Sequence, residues 1–99
     1  MTVRAPFQGA RGQNQFVSPN SSSASVSINN INKSVRLVNS GSNICYVRIG
    51  EGSQTANTSD TPVRAGESLV VQRQENETTV AYISASGTTL NIQPGEGGI

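Results

Sequence analysis

Apolar and polar residues alternate along most of this chain with a period of two. That is the spacing of a strand with one buried and one wet face. Ala24, Val26 and Ile28 alternate with Ser23, Ser25, Ser27 and Asn29. Residues 35–38 (VRLV) form the next apolar run and end at Asn39-Ser40-Gly41-Ser42-Asn43, a strong turn signal. Residues 44–49 are the most apolar, with Ile44, Tyr46 and Arg48 on one side and Cys45, Val47 and Ile49 on the other. These two runs read as a hairpin with a short loop. Further strands are predicted at 15–18, 67–73, 78–84 and 88–93, the last with Leu90 and Ile92 inward. Residues 53–66 lack alternation and read as a crossover loop between sheets or a partly extended edge, with Pro62 and Gly66 fixing its bends. No segment carries a helical apolar stripe over three turns. About seven short strands at roughly 8–12-residue spacing predict an all-β, antiparallel β-sandwich or jelly-roll-like fold.

The ends break this pattern. Residues 1–13 are dominated by Gly, Pro, Gln and Arg, with Val3 and Phe7 as isolated apolar residues. They read as an extended N-terminal arm without regular structure of its own, ahead of a domain at 14–94 and a flexible tail at 95–99. The bland reading of the arm is a loose terminus. The sharper one is a segment that orders on a neighbouring subunit, anchored by Arg4, Phe7 and Arg11, with Phe16 just beyond it as a fourth candidate.

Composition sharpens the picture. Of the 99 residues, 33% are apolar and 4% aromatic, with no Trp, so only a modest core can form. Oligomerisation or docking on a partner is a common remedy for such marginal stability. Charged residues are 13% and the net charge is +1, which argues against strong electrostatic binding of nucleic acid or anionic lipid. No apolar run reaches the roughly 18 residues of a membrane span. Residues 1–16 lack the continuous apolar stretch of a secretory signal, so synthesis in a cytoplasm is expected.

Catalytic chemistry finds little material. There is no His, the commonest general base and metal ligand. The lone Cys45 can form no disulfide within the chain and reads as a small buried residue. Glu51, Asp60, Glu67, Glu75, Glu77 and Glu96 are spread over loops, a strand start and the tail. Such isolated carboxylates are ordinarily solvated. Gly50-Glu51-Gly52 and Gly95-Glu96-Gly97-Gly98 lack the following helix and the Lys-Ser/Thr pair of a phosphate loop. Four Asn-x-Ser/Thr sequons, at Asn20, Asn32, Asn57 and Asn76, are what a chain rich in these residues produces by chance. The scattered Lys33, Arg36, Arg48, Arg64 and Arg73 read as solvated strand faces, with an interface role as the alternative. The expectation is no enzyme, no cofactor, no metal and no small-molecule substrate.

Three stretches taken in order suggest a family: VRLVNSGSNICYVRIG at 35–50, TSDTPVRAGE at 58–67 and VAYISASGTTLNIQPGEG at 80–97. This order resembles small virion proteins of tailed bacteriophages, of the head decoration or cement type. The resemblance covers residues 35–97. It implies a jelly-roll-like sandwich that binds the outside of an assembled capsid, with the major capsid protein as partner and homo-oligomers around local symmetry axes. It also implies location on the virion surface after assembly in the host cytoplasm. A head-to-tail joining or tail/fibre component, and a carbohydrate- or receptor-binding sandwich, are the alternatives. For the last of these the only aromatic candidates are Phe7, Phe16, Tyr46 and Tyr82.

Overall fold

The computed structural model describes residues 6–29 and 31–97. Among them lie nine strands and no helix: β1 (Gln8–Gly9), β2 (Gln15–Val17), β3 (Ala24–Ser27), β4 (Ser34–Asn39), β5 (Cys45–Gly50), β6 (Thr61–Val63), β7 (Ser68–Gln72), β8 (Thr79–Ile83) and β9 (Leu90–Glu96). They form two antiparallel sheets. One runs β1-β9-β4-β7, with β2 also paired to β9; the other runs β3-β8-β5-β6. The all-β reading and the two-layer packing hold.

The alternation seen in the sequence places the core between the sheets. Val35 and Leu37 of β4 and Leu90 and Ile92 of β9 point in from one side. Cys45 and Val47 of β5, Val63 of β6, and Val80 and Tyr82 of β8 point in from the other. Tyr82 is the only aromatic residue of this cluster, so the interior is thin and mostly aliphatic. At roughly 25 cal/mol per Å², each fully buried Val or Leu contributes about 1.5–3 kcal/mol.

The expected hairpin of residues 35–38 with 44–49 does not form. β4 and β5 lie in opposite sheets, and the turn between them is a corner that carries the chain across the sandwich. A turn signal specifies that the chain reverses; it does not specify which layer receives it. Asn39 decides the corner. Its fully buried side chain donates through Nδ2 to the carbonyls of Asn43 (2.8 Å) and Val63 (2.9 Å). Its Oδ1 accepts from the Gly41 N–H (3.1 Å) and the Thr88 hydroxyl (2.7 Å). One side chain thus ties β4, the corner, β6 and the approach to β9.

Two strands go beyond the seven read from the sequence. β6 lies inside the stretch at 53–66, as a short edge bearing Pro62 beside β5. β1 lies inside the segment read as an arm without structure: Gln8 pairs with Glu96 and Gly9 with Gly95. β9 likewise runs through the boundary drawn at residue 94. Two residues carry too little periodicity to be legible as a strand, and here a preformed partner, β9, supplies the backbone hydrogen bonds. Between β1 and β2 the chain turns at Gly12, whose φ of 74° suits glycine. β1 and β2 therefore follow one another along the same side of β9.

Candidate partner-binding face

Strand register decides which side chains look outward. In the five-stranded sheet the rows are Phe16, Asn91, Val38 and Ser68; then Gln93, Arg36 and Val70; then Gly9, Gly95, Ser34 and Gln72. None of these positions carries a carboxylate. Phe16 is 66% exposed, the largest side chain on this face left open to solvent. Val38 and Val70 are half-buried.

Phe7 reaches the same face from the N-terminal side. Its ring lies against Gly95, where an added Cβ would stand 2.6 Å from the ring and 2.3 Å from the Gln8 carbonyl. Glycine at 95 is what lets β1 and Phe7 come this close. The Arg36 guanidinium lies over the ring, 5.4 Å from its centroid, a cation–π contact of about 0.5–1 kcal/mol at an exposed site. Arg36 also donates through Nη2 to Gln93 Oε1 (3.3 Å). Beside Phe16, Asn14 Nδ2 donates to Asn91 Oδ1 (3.1 Å). The polar groups of the face are thus largely paired among themselves, while Phe16 projects.

Of the four residues singled out in the sequence, Phe7 and Phe16 lie on this face, Phe16 opposite Asn91 and Phe7 against Gly95. Arg11 is exposed in the turn between β1 and β2, at its rim. Arg4 lies outside the described residues. Sequence reasoning did not single out Val38, Val70, Asn91 and Gln93. A signal was present for the two valines: VRLV at 35–38 and LVV at 69–71 place apolar residues on both parities, which marks strands with something to cover on each face.

The outer face of the other sheet is partly crossed by the chain itself. Residues 51–60 leave β5, cross to the far side of β8 and return. The Ala56 N–H donates to Ser23 Oγ (2.8 Å), just ahead of β3, and Ala56 is buried. The Gln54 side chain packs against Gly50. Arg48 Nε donates to Asp60 Oδ1 (2.9 Å), the other carboxylate oxygen of which accepts from the Asn57 N–H (2.8 Å). Ala81 points outward from β8 by register, between Ser25 and Arg48, yet has no exposed surface.

Titratable groups with displaced equilibria lie in the interior, away from both faces. Burial pushes the Cys45 thiol up from its ordinary 9.0 to about 11, which suppresses the thiolate and with it nucleophilic reactivity. Burial also raises the Tyr82 phenol. Among the described residues no three His, Cys, Asp or Glu side chains gather as a metal site would require, and no helix is long and apolar enough to cross a membrane. No family model, curated protein or solved structure matches the chain.

Proposed function

We propose that this chain is a structural virion protein that binds the outside of a bacteriophage capsid and stabilises it by bridging neighbouring capsid subunits. The observation that carries the proposal is the asymmetry of the two outer faces. One is crossed by residues 51–60, while the other carries the exposed Phe16 with Phe7, Val38 and Val70 elsewhere on the same face and no carboxylate at its outward strand positions. An apolar anchor within a polar, internally paired surround is the anatomy of a docking surface.

Two further observations support it. With β1 set aside, the strand orders β2-β9-β4-β7 and β3-β8-β5-β6 support a reading as the two four-stranded layers of a jelly roll, an architecture common in viral capsid domains. The stretches at 35–50, 58–67 and 80–97 resemble phage decoration proteins. The mechanism is clamping: a protein that binds the assembled shell but not dissociated subunits stabilises the shell by mass action. Phe16 seats in a pocket of the capsid surface, and Arg11 at the rim adds a cation there.

Heating particles that carry and lack this protein tests the proposal. Decorated particles are expected to rupture at a higher temperature, and equal rupture temperatures would overturn it. Binding of Phe16→Ser to bare shells locates the surface: unchanged affinity would remove the assigned face while leaving the virion role open. Copy number per particle separates a decoration protein, present in proportion to shell subunits, from a neck or tail component.

A further inference from the structure

The four edges of the sandwich are not equally protected. Along one edge β1 and β2 are interrupted by the turn at Gly12. β3 beside it is joined to β2 by Gln15 Nε2, which donates to the Ser27 carbonyl (2.6 Å). β6 has three residues, one of them Pro62. β7 differs. It is five residues long, reads SLVVQ, and holds no charge, proline or glycine. Natural edge strands ordinarily carry such guards against pairing with another chain. Among the described residues no strand pairs with the far side of β7.

The backbone of β7 is set for a particular partner. The Arg73 N–H donates to the Lys33 carbonyl and the Asn39 N–H to the Glu67 carbonyl (2.9 Å each). Hydrogen-bonded pairs alternate along an antiparallel ladder, so odd-numbered residues from 67 to 73 turn their backbone groups to β4. Ser68, Val70 and Gln72 therefore turn theirs to the open edge.

The geometry points to β7 as a self-pairing edge, at which two copies of the chain join antiparallel about a twofold axis at Val70. Val70 then pairs with its own counterpart, and Ser68 with Gln72 of the second copy, each pair exchanging two hydrogen bonds through the groups that face the edge. Leu69 lies opposite Val71. Glu67 lies opposite Arg73 in a closely spaced pair, with Cα atoms about 4.5 Å apart. Both charges are already held at the strand ends. Glu67 Oε1 accepts from the Arg64 N–H (2.9 Å), and Arg73 donates to the carbonyls of Asn32 and Glu77. Charge selects this register over its neighbours. An axis at Val71 would set Glu67 against Glu75, and one at Leu69 would set Arg73 against Ala65.

The pairing has a second consequence. Beneath β7 an open cleft of about 250 Å³ reaches Leu37, Val47, Ile49 and Val71, with Thr61, Gln72 and Glu77 at its polar side. Leu69 and Val71 of the second copy fall on the inner side of the continued sheet, next to the mouth of this cleft. An isologous contact of this kind closes after two copies. It stands independently of the capsid reading.

Sedimentation equilibrium of the full chain is expected to give the mass of a dimer. Val70→Lys, which sets two like charges on the axis, is expected to weaken the dimer at least about tenfold with an unchanged circular-dichroism spectrum. Should Val70→Lys fail to fold, Ser68→Lys at an exposed position of the same edge takes its place. Hydrogen exchange of the unaltered chain adds a site-by-site readout. The amides of Ser68, Val70 and Gln72 are expected to slow as protein concentration rises, while those of Leu69 and Val71, already bonded to β4, do not change. A monomer at all concentrations, a dimer indifferent to the lysine, or concentration-independent exchange at these three amides would each overturn the proposal.

Discussion

The two sheets of this sandwich treat their outer faces in opposite ways. Over β8 and β5 the chain lays its own loop, pinned by Asp60 to Arg48 and by Ala56 to Ser23. Over β9 and β4, among the described residues, it lays the Phe7 ring, while Phe16 stands in water. A small core explains the first choice: with few large side chains, the covered face adds buried surface that the interior cannot supply. It does not explain the second. Stability alone would favour a polar residue at position 16, and the capsid contact proposed above would give the exposed ring a role.

The largest perturbation should erase the difference altogether. Asn39 holds the corner from which both sheets depart, and Asn39→Ala strands two carbonyls, an N–H and a hydroxyl in a buried site. A loss of at least about 3 kcal/mol is expected in urea unfolding. A smaller one would show that water reaches the corner. Asp60→Ala attacks the covered face only. It removes a half-buried ion pair and the Asn57 N–H bond, so a loss of about 1 to 2 kcal/mol is expected, with faster proteolytic cleavage within residues 51–60. Phe16→Ser attacks the open face only. Stability is expected to stay within about 0.5 kcal/mol while binding to bare shells is lost. A large loss of stability would mean that Phe16 serves the fold instead.

The smallest effect concerns the interior shared by both faces. The Cys45 thiol is raised in the folded state, so that state holds its proton more tightly than the unfolded chain does. The associated stability is complete below 9.0 and is lost as pH rises from 9.0 toward about 11. Tyr82, also raised by burial, adds a decline of the same sign at higher pH. Urea midpoints should therefore fall across this window. Cys45→Ala should flatten the first part of the slope, and an unaltered slope would assign the decline elsewhere.

Much of the fold was legible because alternation is a local property. Val26 and Ile28, or Leu90 and Ile92, declare a strand and its inward side without reference to anything distant, although Ala24, read as inward with them, is exposed. The site was legible only in part. Phe7 and Phe16 could be noticed as rare aromatics at the edge of a pattern, but Val38, Val70 and Gln93 join them solely through the register of β4, β7 and β9. β1 shows the same limit from the other direction, since Gln8 and Gly9 become a strand only because Gly95 leaves room for them.

Local pattern and composition were enough to make this protein all-β, to limit its interior to a thin one, and to mark most of the positions that face inward. Those follow from side-chain period and volume, which each segment carries alone. The tertiary structure decided which layer each strand joins. It turned a turn-rich stretch at 39–43 into a corner between sheets, laid residues 51–60 across one face, and, among the described residues, left Phe16 and the β7 edge uncovered. Such choices depend on pairing between residues far apart in the chain, where one buried side chain such as Asn39, or one missing Cβ such as that of Gly95, selects among arrangements that local preference leaves equal.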